Sequence, residues 1–389
     1  MKSALTRAII GRAIAVTAAA GAVVLAVSPA TGVAFGDPAA VPSGAADVVS
    51  AGVDVAAAPP LEAAGAGAPG DGAYTAILGL RYADLPGNAG TVDLFVPTGV
   101  HGKVPVVVWS AGSGFMADNG NRGGERIAQE LAPHGYAVAA VAVRSSSQAV
   151  FPAQVNDAKA AVRWLRANAV EYRLDPGRFA AMGNSSGGWV AAMLGVTGND
   201  LGLEGSVGVT RGRSDVQAVV DLFAPTDFLQ QDAHMLPGGC DIINRMGGGT
   251  DCHADALSPE SRLIGMPIEE QPMITALADP VSYIDKHTPP FLVAHGTDDL
   301  LVPTHQSELL FEALSAAGVP ATYSAVGGYG HDMSFLDRTG FDPTAAETVL
   351  VSDGRGDVTP LDGGHVTWES VADFLDAALG ARASGVTGS

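Results

Sequence analysis

The chain has 389 residues, 47% of them hydrophobic and 16% charged, enough apolar material for the core of one large α/β domain or two small ones. Acidic side chains outnumber basic ones 41 to 21, a formal net charge of −20, which argues against nucleic acid or an anionic membrane surface as partner because both require a basic patch. With 50 glycines and 24 prolines, many turns or some unstructured segments are expected.

The chain opens MKSALTRAIIGRAIAVTAAAGAVVLAVSPATGVAFGDP, with cations at Lys2, Arg7 and Arg12 and an apolar run from Ala13 to Val27. That run is shorter than the roughly 20 residues of a spanning helix. Small residues around Gly32, Ala34 and Gly36 suit a signal peptidase, so residues 1–36 read as a cleaved export signal and not as an anchor. Neither a lipid-modifiable cysteine nor twin arginines accompany it, which points to the general secretory route and an extracellular protein without a stable membrane anchor. Residues 37–72 are Ala, Gly, Pro and Val with no sustained period, a flexible linker, and a single folded domain is expected over 73–383.

Short apolar runs follow: TVDLFVP (91–97), VPVVVWSA (104–111) and YAVAAVAV (136–143). Several are continuously apolar, as strands buried on both faces must be. In FPAQVNDAKAAVRWLRANAVEYRLDP, the positions Val155, Ala158, Val162, Leu165 and Ala169 step by three and four, one face of a helix that stops before Pro176. RFAAMG (178–183), VQAVVDLF (216–223) and PPFLVAHG (289–296) continue the strands, while THQSELLFEALSAAGV (304–319) and TWESVADFLDAALG (367–380) supply further helices. Alternation of this kind implies a mostly parallel sheet covered on both faces. It is interrupted over about 226–287, too long for a structureless loop, so a cap where ligands enter is expected there. The only two cysteines, Cys240 and Cys252, lie inside it and read as a disulfide in an exported chain. A metal site with the adjacent Asp251 and His253 matches no zinc spacing.

The chemistry concentrates at strand-to-helix junctions. G-x-S-x-G occurs once, as Gly183, Asn184, Ser185, Ser186 and Gly187, between an apolar strand and an apolar helix. This is the pattern of a nucleophile elbow, a turn so tight that the residues two before and two after the serine must be small. Ser186 lacks a glycine two residues upstream, so Ser185 is the nucleophile candidate. A serine needs a base, and the base an orienting acid. HGTDDLLVP (295–303) offers Asp299, with Asp298 as the alternative, and GGYGHDMSF (327–335) offers His331. His365, just before the final helix, is explained by helix capping. Backbone donors for a developing oxyanion are expected from Gly112 or Ser113 in SAGSGF (110–115), together with Ser186. Trp189 and Phe115 could line an acyl pocket, though core packing is the simpler use of each.

With these features in order, the chain resembles the α/β-hydrolase superfamily and, more narrowly, the secreted BD-FAE-like esterases, named after a feruloyl esterase, which border the hormone-sensitive-lipase-like group. The carrying segments are FPAQVNDAKAAVRWLRANAVEYRLDPGRFAAMGNSSGGWVAAMLG, ALSPESRLIGMPI and PPFLVAHGTDDLLVPTHQSELLFEALSAAGV, within about 91–335. The resemblance implies an α/β-hydrolase fold, with a mostly parallel eight-stranded sheet flanked by helices and a cap insertion. It implies hydrolysis of a small-molecule or polymer-linked carboxylic ester through an acyl-enzyme, with Ser185, Asp299 and His331 as the triad and no metal or organic cofactor. Two departures stand out. Ala111, Gly112, Ser113 and Gly114 replace the His-Gly-Gly-Gly of relatives, removing the histidine that supports the oxyanion loop, and residues 337–365 look like an insertion. Two rivals share the fold: a prolyl-oligopeptidase-type serine peptidase, which normally has a large N-terminal propeller, and a binding protein without turnover.

Overall fold

The structure is a computed structural model that describes residues 73–198, 200–338 and 346–380. The export signal and linker read in 1–72, and the end of the expected domain at 381–383, lie outside the described residues.

The apolar runs become strands β1 (Tyr74–Arg81), β2 (Thr91–Pro97), β3 (Val104–Ser110), β4 (Ala137–Val141), β5 (Leu174–Asn184), β6 (Ala218–Leu222), β7 (Phe291–Gly296) and β8 (Pro320–Val326), followed by β9 (Glu347–Asp353) and β10 (Val358–Pro360). Every residue of β3, β4, β6 and β7 is buried, which is why their sequences do not alternate. All ten strands join one sheet in the order β1-β2-β4-β3-β5-β6-β7-β8-β9-β10. Its centre, from β4 to β8, is parallel, and both flanks are antiparallel.

The expected eight-stranded sheet therefore corresponds to β1–β8, and the count becomes ten among the described residues. Part of the segment read as an insertion after His331 returns to the sheet: β9 pairs with β8 over seven residues, and β10 pairs with β9.

Nine helices among the described residues cover and cap the sheet: α1 (Gly124–Leu131), α2 (Ala153–Ala167), α3 (Ser186–Val196), α4 (Gly239–Gly247), α5 (Pro259–Ile264), α6 (Pro272–Thr275), α7 (His305–Ala316), α8 (Ser334–Asp337) and α9 (Trp368–Leu379). One face of the sheet packs against α2, α3 and α7 through side chains such as Val155, Val162, Leu165 and Leu310. The opposite face packs against α1 and α9 through Ile127, Leu131, Val371 and Leu375. Each such side chain, fully buried, contributes about 1.5–3 kcal/mol. α3 is buried at all eleven residues, the mark of a helix enclosed by its own domain. Trp189 on it is fully buried, donates its indole N–H to Ala278 O at 2.7 Å and meets the Phe115 ring edge-on at 5.3 Å. Both aromatics are thus core residues, and Phe115 also reaches the cavity described below.

The interruption at 226–287 holds α4, α5, α6 and several single 3₁₀ turns. Cys240 and Cys252 are disulfide-bonded, tying the first turn of α4 to a following turn with a Cα–Cα separation of 4.8 Å. Cys252 lies near Asp232 and His253, but a cysteine spent in a disulfide offers no thiolate to a metal. Among the described residues, no helix is long and apolar enough to cross a membrane.

Candidate active site

β5 ends at Asn184 and α3 begins at Ser186, which leaves Ser185 alone at the turn with φ 55° and ψ −130°. A serine pays for positive φ in steric strain, so the surroundings must impose it. They do: Ser185 N–H donates to Leu222 O at 2.8 Å, and Ser185 O accepts from Trp189 N–H at 3.0 Å. The glycines of the motif are steric requirements. A Cβ on Gly183 would lie 2.1 Å from Gly187 O, and one on Gly187 would lie 2.0 Å from Ser110 O.

The loops after β7 and β8 bring the other two candidates to this turn. His331 Nε2 lies 2.8 Å from Ser185 Oγ, and His331 Nδ1 lies 2.6 Å from Asp299 Oδ2. The edge of the Phe223 ring meets the imidazole at 4.8 Å between centroids and limits its rotation. Asp299 is fully buried, and its other oxygen accepts the N–H groups of Leu301 and Val302 at 2.7 and 3.0 Å. Burial pushes its carboxyl up, but hydrogen bonds and charge from His295 and His331 outweigh that and hold it well below the usual carboxylate range. Asp298 is exposed and engages Thr297, not His331. His365 is bonded to Glu347 Oε2 at 2.6 Å. The last helix is capped by the Thr367 hydroxyl instead, which corrects the reading of His365 as a cap.

His295 was not singled out by the sequence. Its Nε2 faces Asp299 Oδ2 and Val302 O, both at 3.1 Å, and therefore carries a proton, while Nδ1 faces Ser307 Oγ at 2.8 Å. Asp299 thus serves two imidazoles. Nothing in the linear pattern separates this buried strand-end histidine from a packing residue.

The loop expected to donate to an oxyanion is pinned by the elbow, by Arg122 and by its own backbone. Gly112 N–H donates to Asn184 Oδ1 at 3.0 Å, and Ser113 N–H donates to Ser186 Oγ at 2.8 Å. Arg122 holds Gly112 O at 3.0 Å, and Ala111 N–H donates to Gly120 O at 2.8 Å. Four bonds hold the loop from Ala111 to Ser113. A Cβ on Gly112 would fall 2.7 Å from Ser185 Cβ, so the loop touches the serine only because this residue is glycine. Ser186 N–H is the first donor of α3, where the helix itself supplies no acceptor. Of the three expected donors, two are engaged by side chains in the resting protein, and the side chains concerned, Asn184 and Ser186, belong to the elbow itself.

A cavity of about 340 Å³ opens on Ser185 and His331. Its walls include the apolar Phe115, Ile243, Met246 and Val302 and the polar Arg122, His253 and Glu260. Several of these come from the cap, so the interruption of the alternation builds part of the site. The arrangement presents a hydroxyl to a proton acceptor, the acceptor to a carboxylate, and both to a partly open cavity large enough for a small acyl group. Groups so placed have the chemical means to transfer an acyl group.

Residues 92–314 match the BD-FAE family model. Among curated proteins the chain is similar to esterase LipC of Mycobacterium tuberculosis, 26% identical over 69% of this chain and 60% of that protein. It is also similar to the probable carboxylic ester hydrolase LipM of the same organism, 27% identical over 53% of this chain and 44% of that protein. The chain thus spans about half the length of these relatives. Among solved structures, a truncated carbohydrate esterase from gut microbiota superposes with a TM-score of 0.63 at 28% identity, covering 81% of this chain and 100% of that one. A bifunctional GH43-CE protein of Bacteroides eggerthii gives 0.57 at 34% identity over 67% of this chain and 37% of that one.

Proposed function

This chain belongs to the BD-FAE family, and from that premise we propose that it is an exported serine hydrolase of carboxylic esters. The observation that carries the reading is the unbroken relay from Ser185 Oγ through His331 to Asp299, at 2.8 and 2.6 Å. Ser185 Oγ attacks the ester carbonyl while His331 Nε2 takes its proton. Asp299 accepts the Nδ1–H, fixing the tautomer and stabilising the imidazolium. The tetrahedral oxyanion is met by the N–H groups of Ser186 and, once its bond to Ser186 Oγ is exchanged, Ser113. Collapse breaks the bond to the alcohol, which leaves with the proton from His331. Water, deprotonated by the same imidazole, then hydrolyses the acyl-enzyme. Every step uses the chain's own groups and water.

Ser185→Ala should abolish turnover of p-nitrophenyl acetate while circular dichroism and thermal unfolding stay at wild-type values. Full activity in that variant refutes the assignment. A binding role without turnover has one observation in its favour, the engagement of both loop N–H groups in the resting protein. A fluorophosphonate probe separates the two readings: a folded protein whose Ser185 stays unmodified supports binding alone. Export is supported by the pattern of residues 1–36 and by the disulfide, and N-terminal sequencing of the mature protein tests it.

A further inference from the structure

Asp221 is the penultimate residue of β6, paired between Gly183 of the elbow and Val293 of β7. The rest of that strand, Ala218, Val219, Val220 and Leu222, is apolar and buried, as a central parallel strand requires. The Asp221 carboxyl is itself fully buried, and its Oδ2 has no hydrogen-bond partner. Burial pushes it up to about 7, opposed by a bond from Ala224 N–H. A polar group so unfavourable in a core persists where it does something that an apolar side chain cannot.

What it does is close a turn. Asp221 Oδ1 accepts the N–H of Ala224 at 3.1 Å, a bond that spans Leu222 and Phe223. Leu222 is held by the sheet, and Phe223 N–H makes one further bond, to Ala294 O at 2.9 Å. Between there and Thr226, whose N–H donates to Gln306 Oε1 at 2.7 Å, the Asp221 carboxyl is the anchor. Inside this turn Phe223 adopts φ 48°, which a residue with a Cβ holds only under constraint. Its fully buried ring lies 4.8 Å from the imidazole of His331 and 6.1 Å from that of His295, the two rings that share Asp299. Neither Asp221 nor Phe223 is among the walls of the cavity over Ser185, so their influence runs through the imidazole and not through substrate contact.

We infer that Asp221 is a positioning residue: by closing the Phe223 turn it sets the ring that holds the His331 imidazole toward Ser185. The inference rests on the esterase reading for its kinetic consequence, and on the imidazole alone for its spectroscopic one. Asp221→Val suits a buried strand but offers Ala224 N–H no acceptor. It should lower kcat/KM for p-nitrophenyl acetate about 10- to 100-fold, the scale of displacing a reacting group by about 1 Å. Asp221→Asn keeps a side-chain oxygen for Ala224 and should keep the wild-type rate. Phe223→Leu should lose as much as Asp221→Val, and the two changes together no more than either, because residues acting in series are not additive. Rates are compared at a temperature where circular dichroism shows every variant folded. In proton NMR, the Nδ1–H resonance of His331, identified by its loss in His331→Ala, should shift or broaden in Asp221→Val and stay in place in Asp221→Asn. A wild-type rate in folded Asp221→Val, an equal loss in Asp221→Asn, or losses that multiply in the double variant overturns the inference. A wild-type rate in Phe223→Leu does so even where Asp221→Val fails to fold. A wild-type protein that hydrolyses no ester refutes the esterase reading instead, and the Nδ1–H resonance then decides the role of Asp221 by itself.

Discussion

Replacing Ser186 by alanine tests how the oxyanion donors are held before substrate arrives. In the resting protein Ser113 N–H is bonded to Ser186 Oγ at 2.8 Å. An oxyanion must take that donor from an acceptor already tethered at the site, unlike a water molecule that is freed on leaving. The net value of such a bond is about 0.5–1.5 kcal/mol. With the competitor removed, the transition state gains a donor without an exchange, and kcat/KM should rise by about two- to tenfold. The fold is not at risk, since Ser186 is the first residue of α3 and alanine is the best helix former. Its own backbone N–H survives the substitution. The assay is initial-rate hydrolysis of p-nitrophenyl acetate, with active sites counted by fluorophosphonate labelling. A tenfold fall would refute the reasoning, because it would mean that the hydroxyl rotates to donate to the oxyanion.

His295→Phe keeps a ring at the strand end but removes one donor from Asp299. The carboxylate becomes more basic and binds the His331 proton more tightly, so the acid limb of kcat/KM against pH should move to higher pH; an unmoved limb shows that His295 only packs. Asp279 is nearly fully buried, with desolvation raising its pKa to about 8 despite a bond from Phe228 N–H. Its native form holds a proton that the unfolded form releases near 3.8, so this contribution is complete at low pH and is lost as pH rises through about 8. Asp279→Asn should match wild type in urea unfolding below that window and exceed it above, by at most on the order of 5 kcal/mol. A constant difference at both ends counts against a buried neutral carboxyl.

How much of this was legible depended on whether burial leaves a trace in local composition. β3, β6 and β7 are buried on both faces and could be read directly from continuous apolar runs. The face of α2 set by Val155, Ala158, Val162 and Leu165 was equally plain. β9 was hidden because three of its seven residues keep partial exposure and two are exposed, so its sequence reads like a loop and pairing with β8 and β10 makes it a strand. The three side chains of the relay were found from glycine placement and chain order. Their neighbours were not. Whether Asn184 and Ser186 capture loop N–H groups depends on rotamers, and whether Glu260 is buried depends on how the cap folds over it. Neither property is written in spacing. In sequence, Glu260 is an ordinary acidic residue in the first turn of a helix.

The two margins of the sheet bear on how the molecule behaves among copies of itself. At one side, β1 loses register between Ile77 and Leu80, where Gly79 adopts φ +68°. At the other, the outermost strand is three exposed residues long and closes on Pro360, which has no N–H to offer. Unprotected outer strands recruit neighbours and grow laterally into aggregates. Here one border is kinked and the other is too short to template a newcomer, so ten strands can stand side by side in one molecule without inviting an eleventh from the next.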